Sequence, residues 1–183
     1  MSGLIALIYL LIPVVTLLYA RRRWKEAVTT KEKRWIIVIF GLIFLFYFWL
    51  AIGKKWYYDL QVNRLCAKDG GIKVYETVTL PPERFDKWGN VKIKSKRFMS
   101  PEDQYYLDSE EHFYRKHNPS FSKSRDWYVR KSDEKVLGEI IIYSRGGGDL
   151  YGPWFGTGFR CPPGVNEGGP NLESSIFLKG AQE

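Results

Sequence analysis

The sequence predicts a two-helix transmembrane hairpin followed by a small α+β domain with an antiparallel sheet. Three observations carry this membrane reading. Two uncharged apolar runs, Leu4 to Ala20 and Trp35 to Gly53, each approach the length of a bilayer span. The stretch between them, Arg21 to Arg34, holds seven cations against Glu26 and Glu32, and so supplies about five of the chain's eight net positive charges. The remainder is polar, broken by glycine and proline, and alternates in short segments, so a mean hydropathy of −0.29 averages two unlike parts.

The organisation that follows is a hairpin over residues 1–53 with its basic loop at 21–34, a juxtamembrane helix and α+β domain over 54–163, and a flexible tail over 164–183. A short loop this rich in Lys and Arg is expected on the cytoplasmic side, which sends both termini to the other side. Met1-Ser2-Gly3 carries no basic side chain ahead of the first run, so a retained anchor is expected and not a cleaved signal peptide. Pro13 should kink the first run, because it removes a backbone donor and crowds the preceding turn. Aromatic residues frame the second run, with Trp35 at one end and Phe48, Trp49, Trp56, Tyr57 and Tyr58 at the other. Neither run carries an ionisable side chain, so no transport path or proton relay is expected. Gly41 alone makes no small-xxx-small motif, and the oligomeric state stays open.

Beyond Lys54, Trp56, Leu60, Val62 and Leu65 continue a helical period until Asp69-Gly70-Gly71 stops it. Ile72 to Leu80 alternates and reads as a strand closed by Pro81-Pro82. Lys87 to Asn90 reads as a turn, and Val91 to Phe98 as a polar edge strand guarded by its lysines. Pro101 to His117 is ambiguous: an acidic start with Ser100 as cap suits a helix, but its aromatics follow no clean period. Asp126 to Lys131 and Val136 to Tyr143, joined by the turn Ser132 to Lys135, predict a β-hairpin. A short strand is expected near Phe155 to Cys161, with disorder after Gly164.

Cys66 and Cys161 are the only two cysteines, at opposite ends of the domain. On the far side of the membrane two thiols would tend to pair, and a disulfide is expected; two small buried apolar residues are the other reading. Asp108, Glu110, Glu111, His112 and His117 are the one group with acid/base side chains, yet their spacing does not converge them, and a solvated helix face or loop is the better reading. The glycines of RGGGDLYGPWFGTGF match neither GxxxxGK[ST] nor GxGxxG, so no phosphate loop and no cofactor are expected. Zinc would need four ligands, and the two histidines share no CxxC or HxxxH pattern with the cysteines, so no metal is expected either. Tyr151, Trp154 and Phe155 in that loop either pack on the sheet or present a partner-binding surface. Once the basic loop is set aside, the remaining positive excess is small and interspersed, which excludes a nucleic-acid surface.

The stretch LCAKDGGIKVYETVTLPP, with VLGEIIIYSRGGGDL and FRCPP, resembles small uncharacterised bacterial two-span inner-membrane proteins with an extracytoplasmic domain. The resemblance covers residues 57–163 and implies an inner-membrane location with a periplasmic domain and both termini periplasmic. It implies no activity. The function expected from these residues is a non-enzymatic one: a membrane-anchored protein whose periplasmic domain binds another envelope component, as an accessory subunit or an immunity- or exclusion-type protein, with the lipid bilayer as its other partner. The alternative is an envelope enzyme that acts on a lipid or cell-wall substrate through the His112/His117 region.

Overall fold

The computed structural model describes residues 2–148, 157–164 and 171–180. Two helices, α1 (Ser2–Glu26) and α2 (Thr30–Phe48), form an antiparallel hairpin in which the Tyr19 and Phe40 rings lie 6.0 Å apart. The turn between them is set by a capping box: the Thr29 hydroxyl accepts from the Glu32 backbone N–H at 3.2 Å, and the Glu32 carboxylate accepts from the N–H of Thr29 at 3.2 Å. α1 continues through Pro13 as helix. A five-residue π-helical segment, Trp49–Gly53, then joins α2 to α3 (Lys54–Asp69), and the dihedrals stay helical through both junctions. Gly53 is required there, because a Cβ at that position would stand 2.6 Å from the Trp49 ring.

The two spanning helices expected from the sequence are not found. Among the described residues no helix is long and apolar enough to cross a membrane. The first turn of α2 is taken up by Lys31, Glu32, Lys33 and Arg34, so its apolar part runs only from Trp35 to Phe48. At 1.5 Å per residue that is about 21 Å, against a hydrocarbon thickness of about 30 Å. The rest of the predicted run, Trp49 to Gly53, belongs to the π-helical segment. In α1 the apolar stretch Leu4 to Ala20 reaches only about 25 Å before Arg21. The fold is therefore α+β with an antiparallel sheet and a helical hairpin, and the transmembrane assignment is withdrawn. The hairpin's outer surface is nonetheless apolar: Leu17, Leu18, Leu42, Phe44, Leu45 and Phe46 are each at least 60% exposed.

The sheet runs in the order β1 (Gly71–Val74), β5 (Lys135–Gly146), β4 (Ser120–Arg130), β3 (Tyr105–Arg115), all antiparallel, with β6 (Phe159–Cys161) also paired to β5, beyond the end of β1. A separate parallel pair joins β2 (Val78–Leu80) to β7 (Phe177–Lys179). The central strand β5 is covered on both faces, which is why VLGEIIIY reads as a near-continuous apolar run. One face puts Leu137, Ile140 and Tyr128 against Leu80, Val91, Phe177 and the one-turn helix α4 (Leu172–Ile176). The other puts Ile141, Tyr143 and Phe121 against Val62 and Cys66 of α3.

Several local expectations change. Ile72 to Leu80 is two strands with a break between, because β1 joins the main sheet and β2 turns away to β7. Val91 to Phe98 is not a strand: Val91 and Ser95 make isolated bridges to Phe85 and Leu107, and Lys96–Phe98 is a 3-10 turn. The ambiguous segment resolves as the edge strand β3. The tail is not uniformly flexible, since Leu172, Ile176 and Phe177 are core residues.

Candidate partner-binding site

The site is built where α3 crosses the sheet. Asp59, Val62, Cys66 and Asp69 are spaced by three, four and three residues, which places them on one helical face. That face meets β4, β5 and β6. In its middle Val62 is fully buried, and Cys66 is joined to Cys161 by a disulfide with the Cα atoms 5.9 Å apart. At its two ends sit polar contacts. Asp69 accepts from the Lys123 ammonium at 2.8 Å and from the Tyr143 hydroxyl at 2.8 Å. The Lys123 hydrogen bond holds the Asp69 carboxyl below its ordinary value, and burial first, then the bond to Asp69, pushes the Tyr143 phenol up to about 12.

Asp59 occupies the other end, where it accepts from Arg145 Nε at 2.5 Å. Arg145 is 2% exposed, and its Nη1 donates to two carbonyls, those of Gly147 and of Thr157, the latter at 2.7 Å. Gly147 and Thr157 flank the glycine-rich segment. A single buried guanidinium thus ties both stems of that segment to α3. The first stem is held again by Asn118, whose side-chain oxygen accepts from the Gly148 N–H at 2.5 Å. The second stem leads directly into β6 and the disulfide. Tyr151, Trp154 and Phe155, the aromatics expected to form the partner surface, lie outside the described residues.

Two further carboxylates, Glu139 and Asp103, are already engaged. Glu139, 5% exposed, accepts from the Tyr75 hydroxyl and from Arg125 Nε, each at 2.6 Å. Burial raises its pKa, but the Tyr75 and Arg125 contacts outweigh this and hold the carboxyl below its usual value. An open cleft of about 350 Å³ lies between Arg84, Phe85, Ile93, Lys94, Asp103 and Tyr105. On its wall Asp103 accepts from the Ser100 N–H at 2.6 Å and from the Lys94 ammonium at 3.0 Å, and these hold the carboxyl down at about 2, so it serves as an acceptor and not as a proton donor near neutrality.

His112 lies on the edge strand with its ring 4.9 Å from that of Tyr114, and His117 lies in the β3–β4 turn; both are exposed. Asp108, from the same cluster, is paired with Lys96 at 3.1 Å. The structure therefore does not gather that cluster around a cleft. Among the described residues no group of three or more His, Cys, Asp or Glu side chains could hold a metal ion. What sequence reasoning missed is the Arg145–Asp59 pair; its only signal was a lone arginine after an apolar strand and an aspartate in register with Val62 and Cys66. Comparison of the chain with protein-family models, curated proteins and solved structures found no match.

Proposed function

We propose that this chain is a non-enzymatic binding protein of the bacterial envelope. Its domain works outside the cytoplasm at the inner-membrane surface, its apolar hairpin associates with lipid, and its glycine-rich segment contacts another envelope component as an accessory subunit or an immunity- or exclusion-type protein. The observation that carries this reading is the double tether at the segment's stems. Arg145 bonds both, and the disulfide fixes the strand that follows. A recognition segment gains from a rigid base, because less conformational freedom is lost when the partner binds. The Cys66–Cys161 bridge supports an oxidising compartment. The uncovered apolar surface of α1 and α2 supports lipid as the hairpin's surroundings. The bacterial setting rests on the resemblance of residues 57–163. The enzymatic alternative gains no support from His112 and His117, which are exposed and apart from the cleft.

A photo-crosslinking residue placed in turn at Tyr151, Trp154 and Phe155 in cells tests the binding role. A discrete adduct that disappears when the other two aromatics are changed to Ser, with the domain's thermal midpoint unchanged, is the expected outcome. Absence of any adduct from all three positions in a folded protein would remove the reading.

A further inference from the structure

The hairpin meets the domain at one end of the sheet, and the β3–β4 turn lies at that same end. Tyr58, one turn into α3, packs its ring 6.2 Å from Phe121, and the Arg115 guanidinium sits 5.7 Å over the Tyr58 ring. Tyr114 stacks on Phe121 at 4.9 Å. A Cβ on Gly148 would stand 3.1 Å from Pro119 of the turn and 3.6 Å from the Lys55 Cα. Around this root the exposed side chains are aromatic pairs with basic residues beside them. Trp56 and Tyr57 are exposed on α3, and Phe113, Tyr114, Arg115 and Lys116 are exposed where β3 runs into the turn. Of the nearby carboxylates, Glu110 and Glu111 lie farther up β3 opposite Arg125 and Ser124, and Asp59, two residues past Tyr57, is paired with Arg145.

Aromatic rings flanked by Lys and Arg are the composition that settles at the headgroup level of an anionic lipid surface, where the rings take the apolar boundary and the cations meet phosphate. We propose that the β3–β4 turn is a second lipid contact, in which Phe113 and Tyr114 enter the headgroup layer, Arg115 and Lys116 pair with anionic headgroups, and the domain is seated against the surface that holds the hairpin. The proposal rests on the lipid association of the hairpin and adds the lipid class and the residues that select it. The β3 edge is bulged between Phe113 and Arg115, which turns this end of the strand away from further pairing and leaves its side chains for another surface.

The test uses the full chain with Phe113→Cys carrying an environment-sensitive NBD label, its native disulfide intact, and Lys116→Cys as a second labelled position. Vesicles of neutral phosphatidylcholine are compared with vesicles containing phosphatidylglycerol. Co-flotation with both is expected from the hairpin, whereas a several-fold rise in NBD emission is expected only with the anionic vesicles. Arg115→Ser with Lys116→Ser should abolish that rise at position 113 without reducing flotation. An equal rise with neutral vesicles, or no rise at either position while the protein floats, overturns the turn's role and leaves the hairpin reading intact. Failure to float with either vesicle overturns both.

Discussion

Replacing Arg145 by Met keeps most of the side chain's volume and removes its charge and donors. Three acceptors then lose a partner at once: the Asp59 carboxylate and the Gly147 and Thr157 carbonyls. Breaking a buried ion pair from one side costs about 3 to 5 kcal/mol, most of it from the uncompensated partner. Asp59 is 23% exposed, so water reaches part of it and the lower end applies, about 3 kcal/mol. Arg145→Lys should recover little, because one ammonium cannot serve acceptors on both sides that a planar guanidinium spans. Removing both partners, Arg145→Met with Asp59→Leu, should cost less than the sum of the two single changes by at least about 1 kcal/mol, the signature of direct coupling. The assay is urea unfolding of the full chain in mild detergent, followed by near-UV circular dichroism, with limited proteolysis as a local readout for the stems of the 148–157 segment. A loss below about 1 kcal/mol, with unchanged cleavage, would refute the argument that Arg145 is the clasp.

Two further outcomes follow from the same interface and from the opposite face. Reduction, or Cys161→Ser, should lower domain stability by about 4 to 5 kcal/mol in the chain-entropy model, because the bridge closes a loop with a sequence separation of 95; an unchanged urea midpoint in reductant would contradict it. The carboxyls of Asp69 and Asp126 should give opposite pH signatures. Asp69 is held below its ordinary value by Lys123, so its contribution is present above the unfolded carboxyl pKa, about 3.9, and is lost as pH falls through the folded value. Asp126 is pushed up by burial, so its contribution is present below about 3.9 and is lost as pH rises through its folded value. Asp126→Asn should therefore raise the midpoint at pH 7 and Asp69→Asn should lower it; urea titrations between pH 3 and 7 that gave the reverse order would sink the assignment.

How much of this was legible in the sequence differs by element, for identifiable reasons. The β4–β5 hairpin was readable because its turn residues separate two strands with strong β propensity. Edge strand β3 was not, since its outer half is exposed and carries no period that burial imposes. Glycine and proline near residue 164 suggested an unstructured tail and outweighed a small signal: Asn171 caps Glu173, and Leu172, Ile176 and Phe177 then recur at helical spacing. That docking depends on Gly138, where a Cβ would stand 2.8 Å from Ile176 and 2.9 Å from the Lys73 carbonyl, a constraint invisible without the fold. The span assignment failed because a window of residues does not reveal where the regular helix begins and ends. The disulfide was legible as a pairing of the only two cysteines, but the latches flanking it, Asp59–Arg145 and Asp69–Lys123, needed the helix phase against the sheet.

The parallel pairing of Val78–Leu80 with Phe177–Lys179 also orders events in time. The two segments are roughly a hundred residues apart, and such non-local contacts gain nothing until the intervening loop is closed. A nascent domain lacking residues 171–180 would lose Leu172, Ile176 and Phe177 from the cluster around Leu80, Val91 and Leu137, exposing part of that side of the central strand. The α1–α2 hairpin, whose two helices contact each other across a short turn, can form while synthesis continues. The sheet domain has to wait, and during that interval its uncovered face is the segment most in need of a chaperone.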